Sequence, residues 1–238
     1  MPYYGFDWTY LVIVLPCIIL SMIASSSVNS TFKKYSKVMS IRRITGADAA
    51  QRVLSANGVS GVRIERVSGN LTDHYDPRTN VIRLSDSVYN STSVAAIGVA
   101  CHEAGHAVQY AQNYGPIKFR AAIIPLTNIG SKLAMPLILI GILLGFLGNF
   151  SFFLVDLGIA AFGLSLLFQL VTLPVEFDAS RRAIATIENT GILTNEEQQG
   201  AKKTLKAAAM TYVAATAVAL AQLLRLIVLF GGRGRRRD

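Results

Sequence analysis

LAMPLILIGILLGFLGNFSFFLVDLGIAAFGLSLLFQLVTLPV, residues 133–175, decides the fold class. One apolar segment runs from Leu133 to Phe150 and a second from about Phe152 to Val175. Crossing the hydrocarbon core takes about 20 predominantly apolar residues, with a range of about 17–25. Almost no loop separates the two segments at Gly148-Asn149, so they read as a membrane hairpin whose outer ends return to one side. Two further segments qualify. Trp8 to Ala24 is short, but Tyr3, Tyr4, Phe6, Trp8 and Tyr10 form an aromatic belt of the kind found at membrane interfaces. Pro16 predicts a kink in it. Ala207 to Phe230 is Ala-rich and interrupted by Gln222 and Arg225. Gly141 and Gly145 make a GxxxG, a weak helix-packing signal.

Composition agrees. Of 238 residues, 52% are apolar and 16% charged, with a mean hydropathy of +0.42. Soluble domains carry about 25% charged residues. Disordered and collagen-like chains are excluded, and two cysteines, Cys17 and Cys101, make no disulfide framework. The net charge of +9 admits a membrane protein or a nucleic-acid binder. Placement of the charges separates the two. Residues 25–132 and 176–206 together hold eighteen of the 23 basic residues, and the hairpin puts both stretches on one face. Lys33, Lys34, Lys37, Arg42 and Arg43 follow the first span, and no Lys or Arg precedes it, which argues for an uncleaved anchor with a cytoplasmic segment after it. No nucleic-acid partner is expected. The tail 231–238 is basic and does not follow this rule.

The polar stretch 25–132 reads as α+β. Asp48 stands near the start of a helix that Asn57-Gly58 ends. Val62–Val67 alternates like a half-buried strand, Asp76-Pro77-Arg78-Thr79-Asn80 is a turn cluster, and residues 81–84 form a second strand. Helix resumes at about Ser93, runs through Tyr110 and is closed by Gly115-Pro116.

That helix carries His102-Glu103-Ala104-Gly105-His106, an HExxH. Positions i and i+4 share a helix face, so His102 and His106 can offer imidazoles to one metal. Glu103 is placed to deprotonate a zinc-bound water. A catalytic zinc needs a third protein ligand. The next acidic cluster at a membrane boundary is Glu176-Phe177-Asp178, just after Pro174, where Pro followed by Glu reads as a helix start. Two residues apart on a helix, Glu176 and Asp178 point nearly opposite ways, so only one of them can face the metal.

His102–Gln109 together with Val175–Ala183 resembles the YugP-type neutral zinc metallopeptidases of bacterial membranes. Tyr35-Ser36-Lys37-Val38 and Asp73-His74-Tyr75-Asp76-Pro77 belong to the same match, which spans nearly the whole chain and stops before the arginine tail. A more distant similarity is to the HtpX and CAAX-prenyl protease group, whose third ligand is a Glu in an E-F-x-A-D stretch. That resemblance implies Glu176 as third ligand, with Asp178 as the alternative ligand or a group orienting a ligand histidine, because Ser180 replaces the group's Asp. It also implies that the segment at Asp73-His74-Tyr75 is a strand edge aligning substrate, with His74 as a substrate or oxyanion contact. FtsH-type enzymes share HEAGH but need a GxxxxGK[ST], and site-2 proteases need an LDG; neither occurs here.

The expectation is a mainly α integral membrane protein of about four transmembrane helices with a small α+β zincin-like (gluzincin) region. Its parts are a span at 8–24, a cytosol-facing catalytic region at 25–132, a hairpin at 133–175, a third-ligand helix and cytosolic segment at 176–206, a span at 207–230 and a tail at 231–238. His102, His106 and Glu176 hold Zn²⁺, and Glu103 serves a peptidase acting on membrane or membrane-adjacent proteins in a bacterial cell membrane. The alternative is a catalytically inactive, zinc-binding membrane scaffold.

Overall fold

The structure, a computed structural model, describes residues 7–231. The tail beyond Gly231 and the aromatic residues Tyr3, Tyr4 and Phe6 lie outside the described residues. Six helices and three strands follow in the order α1 (Leu15–Tyr35), α2 (Gly46–Ala56), β1 (Arg63–Val67), β2 (His74–Asp76), β3 (Val81–Ser85), α3 (Val94–Ala111), α4 (Gly115–Leu143), α5 (Asn149–Thr190) and α6 (Asn195–Phe230). Among the described residues, four helical stretches are long and apolar enough to cross a membrane: Tyr10–Tyr35, α4, α5 and α6.

The chain divides into two units. The first takes in the described residues up to Ile23, then Phe119–Thr172 and the described residues from Tyr212 on. Its surface is apolar: Val12, Leu143, Phe146, Phe153 and Val228 are all largely exposed, as lipid contact requires and water does not favour. A π-helical turn, Tyr10–Val14, precedes Pro16. The proline has no N–H and its ring crowds the carbonyl four residues back, so the predicted kink takes the form of this widened turn. In the hairpin, α4 and α5 approach closely at Gly130, Gly141 and Gly158. A Cβ at Gly141 would lie 2.7 Å from Val155, and one at Gly158 would lie 2.6 Å from Ile138. Gly145 meets nothing, so only half of the GxxxG packs. Arg225, the interruption in the last apolar segment, donates to Asp7 at 2.9 Å and stacks over Tyr10. This pair neutralises a charge that is costly in a span, and it sets the start of the first helix beside the end of the last.

The second unit is Ala24–Lys118 and Leu173–Thr211. Thr45 caps α2, accepting from the Asp48 N–H at 3.1 Å, and Ser93 caps α3, accepting from the Ala96 N–H at 3.3 Å. The sheet order is β1-β3-β2, with β1 parallel and β2 antiparallel to β3. The central strand β3 is buried except at Arg83, and α2 and α3 pack over it in a core of Val53, Leu54, Ile82, Leu84, Ile97 and Val108. Cys101 is fully buried there, and burial pushes its thiol up, as expected of a core cysteine.

Helix boundaries differ from the sequence reading in three places. Gly115-Pro116 opens α4 rather than merely closing α3, because proline fits the first turn of a helix, where its missing N–H has no partner to lose. Pro174 does not start a new helix; it lies inside α5, which runs unbroken from Asn149 to Thr190. One proline removes a single rung at a cost of about 3 kcal/mol, which the apolar burial of a 42-residue helix outweighs. Likewise α6 continues from Asn195 through the basic residues 202–206 into its apolar half.

Candidate metal centre and active site

The second unit brings α3 and the 175–182 stretch of α5 into direct contact. The contact depends on Gly105: a Cβ there would stand 2.6 Å from the Ala179 carbonyl oxygen. Glycine in the middle of HEAGH therefore lets the two backbones touch, and the touch carries Glu176 to the histidines. Glu176 Oε2 lies 3.3 Å from His102 Nε2 and 3.5 Å from His106 Nε2. All three donor atoms fall within 4.8 Å of one another. Zinc bonds of about 2.0–2.2 Å in a tetrahedral arrangement set neighbouring donors about 3.3 Å apart. The donor set, two imidazoles and a carboxylate around one point, fits a zinc ion.

The outer nitrogens of the histidines are held. His106 Nδ1–H donates to Gln109 Oε1 at 3.0 Å. Gln109 is fully buried, and its amide donates both protons, to the Val175 carbonyl at 2.8 Å and to Asp178 Oδ2 at 2.9 Å. With both N–H groups engaged, the amide oxygen has only His106 to face. That fixes the Nδ1–H tautomer and leaves Nε2 as the lone-pair donor. His102 Nδ1 meets Ser180 Oγ at 3.1 Å. Ser180 thus occupies the place expected of Asp178, and Asp178 acts one step further out. Buried at 4% exposure, Asp178 accepts from Gln109, Arg181 and Arg182, and Arg182 continues to Gln112 and over the Tyr114 ring. Asp178 is outside the converging donor set.

Glu103 follows His102 on α3, and the backbone N–H of Tyr75 in β2 lies near enough to favour its charged form. Burial pushes its carboxyl up to about 7, with the nearby charges of Glu176 and Asp73 adding to the effect and His102 opposing it. Asp73 is itself tied to Ser85, accepting from its N–H at 2.7 Å and its hydroxyl at 2.9 Å. His74 is exposed and its Nδ1 bonds the Thr72 carbonyl at 2.9 Å, outside the metal group. Asp76 orders the hairpin from β2 to β3, accepting from Arg78 N–H, Thr79 and Arg83.

The sequence reading missed Gln109 and Ser180 as orienting groups. Gln109 lies at i+3 from His106 and Ser180 at i+4 from Glu176, so helical spacing alone offered a signal. What could not be read was which residue of one helix meets which of the other.

A family model described as "Putative neutral zinc metallopeptidase" matches residues 10–231. "Putative membrane protease YugP" of Bacillus subtilis (strain 168) is 48% identical over 211 residues, covering 89% of this chain and 92% of that protein. No solved structure matches the chain. With a match that takes in the converging His102, His106 and Glu176, and with four helices suited to a bilayer, the chain belongs to the neutral zinc metallopeptidase family.

Proposed function

We propose that this protein is a membrane-embedded, zinc-dependent endopeptidase of the HExxH-plus-Glu, gluzincin type, with the second unit as its zincin-like catalytic region. His102, His106 and Glu176 would hold the zinc. The observation that carries this reading is the convergence of their Nε2, Nε2 and Oε2 atoms, with both histidine Nδ1 atoms already engaged.

Bound zinc supplies a Lewis acid that polarises the scissile carbonyl and lowers the pKa of water at the site. Glu103 takes a proton from the attacking water and delivers it to the leaving amine. Burial raises this carboxyl above the ordinary value, which makes its anion the stronger base. β2 is one of the two edge strands of the sheet and the one next to α3, so an extended peptide beside it would gain main-chain hydrogen bonds. His74, at the exposed start of β2, is the proposed substrate or oxyanion contact.

Substrates are membrane proteins or segments next to a membrane, because α5 passes from its apolar half to Glu176 within little more than one turn. Lipid is the other partner. Clustering of basic residues in 25–132 and 176–206 supports a site on the cytoplasmic side of a bacterial cell membrane.

The test is the purified full chain with zinc. Wild type should hold about one zinc and cleave an unfolded or membrane-tethered peptide. Glu103→Gln should keep the zinc and lose about 10²–10⁴-fold in kcat, and Glu176→Ala should lose the zinc. Unchanged cleavage by Glu103→Gln would refute the mechanism. Zinc binding with no cleavage in any variant would leave a zinc-binding scaffold.

A further inference from the structure

Within the second unit, α5 and α6 flank an open groove of about 460 Å³, which lies on the outer side of Ser180 and includes none of His102, His106 and Glu176. Phe177, Ile184, Leu205 and Met210 form its apolar wall. Three cations line it, Arg181, Lys202 and Lys206, against one acid, Glu188. Glu188 is paired with Lys202 at 2.5 Å, and Arg181 is paired with Asp178. Lys206 has no acidic partner among the described residues. Phe177 and Met210 are nearly half exposed, at 47% and 45%. Along the chain they lie five residues after Thr172 and two before Tyr212, where the apolar unit leaves off and resumes.

We infer that this groove binds an anionic phospholipid, with an acyl segment along the Phe177–Met210 wall and the phosphate at Lys206. The volume lies in the range of about 300–1,000 Å³ typical of small-ligand sites. Apolar lining with a surplus of positive charge complements a chain joined to an anionic headgroup. A peptide fits less well. Both walls are helices whose backbone groups are spent on their own hydrogen bonds, so an extended peptide would find no strand edge to pair with. A lipid asks for none.

The experiment uses the full chain carrying Glu103→Gln, so that no readout depends on proteolysis. In a mild detergent it is titrated with phosphatidylglycerol or phosphatidylcholine, and lipid adducts are read by native mass spectrometry alongside the thermal midpoint. Phosphatidylglycerol should be retained in preference. Lys206→Ala should weaken it about five-fold, Lys206→Arg should restore it, and Met210→Trp, which fills the apolar wall, should block it. Equal retention of the two lipids overturns the proposal, as does unchanged phosphatidylglycerol affinity in Lys206→Ala. If Met210→Trp does not fold, the headgroup preference and the Lys206 pair decide alone. A Met210→Trp protein that loses affinity for an apolar peptide while keeping lipid assigns the groove to peptide and also overturns it.

Discussion

His102 and His106 sit one helical turn apart on α3, yet they are held by different means. His106 faces a fully buried glutamine whose amide has no spare hydrogen-bonding direction. His102 faces a serine hydroxyl, a rotor that can donate or accept as its surroundings change. One histidine is locked through a chain that runs Gln109, Asp178, Arg182; the outer nitrogen of the other meets an adjustable hydroxyl. The difference teaches that the surroundings of His106 set its tautomer, whereas those of His102 leave it free to change.

Breaking both arms at once should have the largest effect. Gly105→Ala drives a Cβ into the Ala179 carbonyl, so α3 and α5 must separate just where Ser180, Asp178 and Glu176 reach across. The expected cost is about 1–3 kcal/mol of stability together with loss of most zinc affinity, read by thermal melting and by zinc titration. A variant with wild-type zinc affinity would mean that the helix approach does not build the site. Breaking the locked arm alone comes next. Gln109→Leu removes the acceptor at His106 and takes the amide donor from Asp178 and the Val175 carbonyl, so zinc affinity should fall about 10–100-fold. Ser180→Ala, on the adjustable arm, should cost less than Gln109→Leu, because His102 can turn Nδ1–H to water at a partly exposed position. Equal losses in the two variants would erase the distinction between the arms.

The smallest effect concerns Glu103 in the metal-free protein. Its carboxyl is raised to about 7, so the folded state favours the protonated form. The unfolded chain releases that proton near the ordinary carboxylate value of about 4.3. Folding is therefore penalised as pH rises from the ordinary value through 7, and not below it. Metal-free wild type should melt lower at pH 8 than at pH 5, and Glu103→Gln should flatten that slope.

Much of this was legible in residue order. Leu133–Val175 announced the hairpin because a bilayer demands length and apolarity that few other environments reward. His102 and His106 were legible because the helical period alone puts i and i+4 on one face. β2 was not readable from its own pattern: three residues cannot show an alternation, and only the family resemblance pointed there. Pro174 was misread because local rules treat proline as a boundary, while a long apolar helix tolerates a missing rung. The choice between Glu176 and Asp178 stayed open because spacing states that two side chains diverge, not which one faces inward.

The sequence by itself determined the environment and the chemistry on offer: apolar segments of bilayer length, a basic bias beside them, and two imidazoles with a carboxylate on one helical turn. These depend only on composition and on distances along the chain. Tertiary structure decided the rest. Contact between Gly105 and Ala179 turned Glu176 toward the histidines and Asp178 toward Gln109, and β2 brought Tyr75 beside Glu103. Those pairings join residues about 30 to 75 positions apart, and the close packing of two helices and a strand, rather than any local preference, selects them.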